Sequence, residues 1–222
     1  MIPPQHNSEF VAAMEDVIAL YSQPYGPEHP LVCMDEQPIQ LQRQVHTSQP
    51  ATANHPQRVD YEYERAGTAS MFMLCNPLAG WRQVSARSQR SKVDWATEIA
   101  ALLDTRYHKG ERLRLVCDNL NTHTPGAFYQ AFPPSEARGY VQRLEFHYTP
   151  KHGSWLNTAE SELSVLTRQY LMGQRIGDLG TLQAETRAWE QATNARQRGV
   201  LWQFNIHDAR AKLHALYPKS LS

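Results

Sequence analysis

The chain has 222 residues, 41% of them hydrophobic, enough apolar material to bury one generous domain or two small ones. No run approaches the ~20 consecutive apolar residues of a membrane span, and Met1-Ile2-Pro3-Pro4 begins no basic-then-apolar leader, so an exported or membrane-bound class is set aside in favour of a cytoplasmic one. With 22 Lys and Arg against 22 Asp and Glu the formal net charge is zero, which excludes a broadly basic surface and requires any contact with a polyanion to be local.

In chain order, Ser8 is placed to cap a helix over residues 9–21, whose apolar positions Phe10, Ala13, Met14, Val17 and Tyr21 recur at three and four residues. Proline and glycine close it before Leu31-Val32-Cys33-Met34, a short apolar run that reads as a fully buried strand delivering Asp35-Glu36 at its end. Residues 47–60 are polar and contain two prolines, and are expected to form a mobile loop. A meander of three short strands is predicted next, Tyr61–Arg65, Ser70–Cys75 and Trp81–Ala86, with turns at Ala66-Gly67 and at Pro77–Gly80. Ser91 followed by Asp94 marks a capping box for a helix running to Gly110. Leu113–Cys117 is a second buried-strand run, and it too ends on an acid, Asp118. Thr124-Pro125 starts a helix, Ser135 a short second one, and Leu144–Tyr148 is the last strand. A helix from Ser154 to about Leu171 follows, then Leu182–Arg196 and Asp208–Leu216. Trp155, Trp189 and Trp202 stand at helical spacings and are assigned to the core.

Cys33, Cys75 and Cys117 lie inside apolar runs without C-x-x-C spacing, so neither a zinc site nor a disulfide framework is expected and the thiols act as small buried hydrophobes. Central strands that alternate with helices imply a partly parallel sheet covered on both faces, with ligands at the carboxyl ends of its strands. Asp35 and Asp118 converge there only if their strands are neighbours, and two convergent carboxylates are relieved by a divalent cation, for which oxygen donors favour magnesium or manganese over zinc. One strand-end aspartate alone is more simply a turn or capping residue; the combination with a third acid is what points to catalysis. On the helix after Ser154, Leu156, Ala159, Leu163, Leu166 and Tyr170 form the apolar stripe, and Glu160 and Glu162 flank it on opposite edges, so helical geometry leaves either as the third acid. The segment Trp81–Lys92 carries Arg82, Arg87, Arg90 and Lys92 without an acid and is a local candidate for phosphate contact, a solvated turn being the plainer alternative.

The segments Val32–Glu36, Val116–His123 and Tyr148–Glu160 resemble the three catalytic blocks of mariner-like bacterial insertion-sequence transposases of the DDE superfamily, and the similarity runs from about Ile2 to Pro218. The D-N-x-x-x-H and T-P-x-x-x-x-W-L-N-x-x-E patterns are jointly specific. The resemblance implies an α/β, ribonuclease-H-like mixed five-stranded sheet flanked by helices, with extra C-terminal helices. It divides the chain into an N-terminal linker helix (1–30), the catalytic core (31–172) and a helical extension (173–222). It also implies a catalytic and metal-ligating triad of Asp35, Asp118 and Glu160, the L-N-x-x-E pattern selecting Glu160 over Glu162. Two Mg2+ or Mn2+ ions would serve an in-line displacement that cleaves DNA and transfers strands. His123 matches the histidine after the second acid, placed to donate a hydrogen bond near a phosphate or to sit in a loop as a cap. Lys151 and His152 precede the third block's helix, where cations and free N–H groups favour anions.

The implied partners are DNA, both transposon ends and target, and a second copy of the chain assembled on it, at the bacterial nucleoid. Relatives carry an N-terminal helix-turn-helix region that reads the element ends; with residues 1–7 alone before the first helix, addressing is expected from a separate subunit or upstream frame product. A non-catalytic or decayed domain that binds DNA or a partner, and a structure-selective nuclease of the same fold, are the alternatives.

Overall fold

The computed structural model of the chain describes residues 7–45, 62–107 and 111–218, so the expected loop at 47–60 lies outside the described residues. Helix α1 (Ser8–Tyr21) is started by Asn7 rather than Ser8, the Asn7 side chain accepting from Phe10 N at 3.1 Å. Strand β1 (Leu31–Gln44) does not stop at the acids: it runs on past Asp35 and Glu36 because β2 (Tyr63–Asn76) pairs with it antiparallel over its whole outer half. The two segments expected on either side of a turn at Ala66-Gly67 are one strand. What reads as a turn is an irregularity, with Gly67 at φ +106° and a register shift between Gln40 and Gln42 on the facing strand.

A tight turn then leads to β3 (Trp81–Arg87). Helix α2 (Lys92–Thr105) opens on the predicted box, Ser91 and Asp94 each bonding the other's backbone N–H. Strand β4 (Leu113–Asp118) is followed by α3 (Pro125–Ala131), α4 (Pro134–Gln142) and β5 (Leu144–Thr149), the two helices each carrying proline in the first turn. The helix expected from Ser154 to about Leu171 is three pieces: a 3₁₀ turn (Ser154–Leu156), α5 (Thr158–Val165) and a π-helical turn (Leu166–Leu171). Helices α6 (Leu179–Asn194) and α7 (Ile206–Lys212) follow, and a 3₁₀ turn (His214–Leu216) ends the region expected as one helix to Leu216.

The strands form one mixed sheet in the order β3-β2-β1-β4-β5, antiparallel from β3 to β1 and parallel from β1 to β5. Strand alternation sends Leu31, Cys33 and Val116 to one face, where α1, α5 and the C-terminal helices cover them, and Val32, Met34, Leu115 and Cys117 to the other, beneath α2, α3 and α4. Trp95 is fully buried in the second layer; Trp189 is buried in the first, with Trp155 and Trp202 packed against it. This is the ribonuclease-H-like arrangement expected: a mixed five-stranded sheet flanked by helices. Among the described residues, no helix is long and apolar enough to cross a membrane.

The outer edge of β3 would present unpaired backbone groups to solvent. Helix α6 lies along it and supplies side chains in place of a sixth strand. Asn194 accepts from Arg82 N at 2.7 Å and donates to Arg82 O at 2.6 Å, Glu190 accepts from Val84 N at 2.8 Å, and Gln183 donates to Ala86 O at 2.9 Å. Replacing Asn194 by alanine removes two of these bonds and strands a peptide group of limited exposure, so we expect a loss of about 1–3 kcal/mol in urea unfolding, with Asn194→Gln restoring part of it. A loss within error would show that α6 covers the edge by apolar packing alone.

Candidate active site

Strands β1 and β4 pair in parallel register, Leu31 with Arg114, Val32 with Leu115 and Cys33 with Val116. Two residues further on each strand come Asp35 and Asp118, and two is the strand period, so both acids share the face of Cys33 and Val116. Asp118 is the last residue of β4, while Asp35 continues in a ladder with Met73 of β2. Helix α5 covers this same face, and its start is pinned beside Asp35: buried Asn157 accepts from Ala159 N at 3.1 Å and donates to Met34 O at 2.9 Å. Glu160 sits one turn in, exposed, and lines a cleft of about 300 Å³ together with Asp35. Asp118 lies on the neighbouring groove, of about 850 Å³.

Burial is the main force on Asp35, and with the charges of Asp118 and Glu160 nearby it pushes the Asp35 carboxyl up to about 7 against the opposing Glu36 N–H and His123. The Glu36 N–H reaches Asp35 Oδ1 at 2.8 Å. Among the described residues, no three metal-ligating side chains are gathered as tightly as around one ion. The donor set nonetheless fits a hard divalent cation, because the charges of Asp118 and Glu160 both bear on Asp35, whose carboxyl is held partly protonated chiefly by burial and further by those charges.

Glu36 points the other way, as alternation requires, and there it meets His123, which is fully buried. His123 Nε2 lies 3.0 Å from Glu36 Oε1; its Nδ1 faces Asp118 Oδ1 at 2.5 Å, a short ion-pair approach without hydrogen-bond alignment, and the Asp118 carbonyl at 3.3 Å. Trp95 stacks on the ring at 5.3 Å and Tyr148 Oη donates to the His123 carbonyl. Burial opposes the imidazolium, but the close approach of the Asp118 carboxylate, with Cys117 and Glu36 beside the ring, outweighs it and pushes His123 up to about 11. It is therefore a buried cation bracing Asp118 from behind, and Glu36 is a member of the site that the sequence reading left without a role. The signal was present as the second acid of the Asp35-Glu36 pair, one residue out of phase with the first.

The basic residues divide. Lys151 and His152 are exposed in the turn after β5 and line the groove beside Asp118. The turn is tight: His152 has φ +68°, and a Cβ at Gly153 would lie 2.6 Å from Pro150. Arg82 is not available to a phosphate. It is buried and bonds Glu162 at 2.6 Å and the carbonyls of Gly80 and Arg198. The same pair takes Glu162 out of solvent, for its side chain is only 15% exposed. Arg87 is engaged by Glu98 at 2.5 Å and Asp94 at 3.5 Å, while Arg90 is exposed and Lys92 half-buried, both away from the acids' clefts.

The sequence model of a family described as DDE superfamily endonuclease matches residues 30–183. Three solved structures are similar at 14% identity: the Mos1 mariner paired end complex with Mn (TM-score 0.56, covering 89% of this chain and 61% of that one), the Mos1 transposase paired-end complex with left transposon end (0.58, 99% and 66%) and the Mos1 strand transfer complex (0.55, 86% and 57%). At that identity the likeness is one of fold, and the chain spans about three-fifths of the length of the Mos1 chains. No curated protein matches the chain.

The raised Asp35 gives a pH signature. Folded, it holds its proton to about 7; unfolded, it releases it near 3.8, so stability falls as pH rises through that interval and levels above it. In metal-free buffer, Asp35→Asn should gain melting temperature over the native chain progressively from about pH 4 to 7 and then hold a constant margin. A margin independent of pH would mean that Asp35 ionises as an ordinary exposed aspartate.

Proposed function

Because the chain belongs to the DDE superfamily endonuclease family, we propose that it is the catalytic domain of a mariner-like insertion-sequence transposase, cutting DNA strands at element ends and joining them to a target. The observation that carries this reading is the convergence of Asp35 and Asp118, from neighbouring parallel strands and on one face, toward Glu160 on the helix covering that face. In this proposal residues 31–172 are the catalytic core, with 1–30 and 173–222 as additions to it.

Asp35, Asp118 and Glu160 would hold two divalent cations, Mg2+ or Mn2+, the latter being present in one of the similar Mos1 complexes. When bound, the ions supply positive charge to the reacting phosphate and lower the barrier to an in-line displacement. The chain's own residues do the rest. His123, a buried cation between Glu36 and Asp118, fixes the orientation of the Asp118 carboxylate without spending a conformational change at the moment of reaction. Asn157 fixes the first turn of α5, and with it Glu160, against the strand that carries Asp35. Lys151 and His152 are placed to take phosphates of the strand entering beside Asp118. Glu162 is a structural partner of Arg82 and takes no part in the chemistry.

DNA, as element end and as target, is the proposed substrate, and a second copy of the chain is proposed to assemble on it. The reading assigns recognition of the ends to a helix-turn-helix region, fused or in trans, and places the protein in the bacterial cytoplasm at the nucleoid.

The test is cleavage of duplex DNA carrying element ends, with the end-binding region supplied. Asp35→Asn, Asp118→Asn and Glu160→Gln should each lose at least about a thousandfold in rate, on the order of 4 kcal/mol, with Asp35→Asn and Glu160→Gln melting at or above the native temperature and Asp118→Asn folded but melting lower, because it takes a carboxylate from the buried His123. Glu162→Gln should keep its cleavage rate within a few fold yet melt lower, since it leaves Arg82 buried without its partner. Cleavage surviving in Glu160→Gln but lost in a folded Glu162→Gln would reverse the assignment of the third acid.

A further inference from the structure

We propose that Gln37 is a substrate contact: the free N–H pair of its side-chain amide, held in the Asp35–Glu160 cleft, donates to a non-bridging oxygen of the phosphate adjoining the scissile one. It rests on the reading of the acids given above, and four observations support it.

First, alternation along β1 puts Gln37 on the face of Asp35, and both line the cleft with Glu160, Ser164 and Thr167. One flank of Gln37 is open, since the ladder from β1 to β4 stops at Cys33, while on the other side Gln37 pairs with Met71 of β2. Second, the amide is oriented. Thr167, in the π-helical turn after α5, donates its Oγ1 hydrogen to Gln37 Oε1 at 3.1 Å, which leaves Nε2 at the other corner of the group. Third, the two hydrogens on Nε2 bond no acceptor among the described residues, although two carboxylates line the same cleft, and Nε2 is open to that cleft. Asp35 Oδ1 takes its hydrogen bond from the Glu36 N–H instead. Fourth, two residues of extended strand advance about 6.8 Å, comparable with the step from one phosphate to the next along a single nucleic-acid strand. A group at Gln37 therefore meets the phosphate one step along from that at Asp35.

An amide is the donor that such a place allows. A lysine at position 37 would set its own cation where the acids are to hold one, and a glutamate would add a negative charge beside a phosphate. The glutamine amide brings two N–H donors and no net charge. Because Thr167 fixes it beforehand, little ordering is spent when the strand arrives. Holding the adjoining phosphate registers the scissile one against the acids, so its loss lowers the rate at saturating DNA and not affinity alone.

The experiment compares the native chain with Gln37→Met, Gln37→Glu and Thr167→Val, with the end-binding region supplied and DNA in saturating excess. Each is read by cleavage, by melting and by titration with Mn2+. The duplexes carry, at each phosphate around the cut in turn, a methylphosphonate, in which a methyl group replaces one non-bridging oxygen. Gln37→Met keeps the length and apolar packing of the side chain. It should melt close to the native chain and bind Mn2+ equally well, yet cleave the all-phosphate duplex about ten- to a hundredfold more slowly. Gln37→Glu keeps the bond from Thr167 but has no donor, and should be slowed at least as much, which tests the donor even should the methionine variant melt low. Thr167→Val frees the amide without removing it and should lose less. At the phosphate adjoining the scissile one, the methylphosphonate should slow the native chain but add little to Gln37→Met, because both changes remove the same bond. Cleavage at the native rate by Gln37→Met, or a methylphosphonate penalty as large in Gln37→Met as in the native chain at every position, overturns the proposal and leaves the catalytic reading intact. Weaker Mn2+ binding by a folded Gln37→Met also overturns it, by making Gln37 a cation ligand. Cleavage by Asp35→Asn, or a native chain that cleaves no DNA with metal present, overturns the reading itself.

Discussion

The pairing of β1 with β4 is the constraint on which the site depends. β1 is shared: β2 holds it antiparallel along nearly its whole length, while β4 holds only its first residues in parallel. That ladder stops at Cys33 and Val116, two residues before β4 itself ends, and the open position falls between Asp35 and Asp118. A carboxylate in the middle of a strand would otherwise be a costly burial. Here the missing half of the ladder leaves room at the strand's flank, and helix α5, anchored through Asn157 to Met34 O, closes the other side with Glu160. One backbone register thereby gathers charges from three separate stretches of the chain.

Alternation along β1 then separates two tasks. Asp35, facing α5, is buried and crowded by acids, and holds its proton up to about 7. Glu36, facing α2, is buried against a histidine that stays cationic far above its ordinary range. Because His123 touches Glu36 on one nitrogen and Asp118 on the other, the two faces of the sheet are coupled around its edge by a single ring. The positive charge needed near the acids is thus partly internal, which accords with a chain whose formal charge is zero.

The runs Leu31–Met34, apolar throughout, and Leu113–Cys117, apolar but for Arg114, were legible from sequence because buried parallel strands read as near-continuous hydrophobic stretches, and each led directly to an acid. The capping box at Ser91 was legible for a similar reason, its two residues carrying the geometry locally. The long hairpin of β1 and β2 was not, since its outer half is polar and exposed and Gly67 reads as a turn unless the facing strand is known. Glu162 and Arg82 show the same limit: both look like surface charges, and only the packing of α5 against β2 and β3 reveals that they neutralise each other under cover. The third acid was selected by a pattern shared with a family, where helical phase alone left two candidates.

The central claim is that Asp35, Asp118 and Glu160 form one cation-binding centre. It is tested most directly by titrating the chain with Mn2+ and following the free ion by electron paramagnetic resonance, without reference to cleavage. The account predicts saturable binding by the native chain and by Glu162→Gln, weakened at least about tenfold, or ~1.4 kcal/mol, in each of Asp35→Asn, Asp118→Asn and Glu160→Gln. Undiminished binding in the three triad variants, or loss confined to Glu162→Gln, would contradict it.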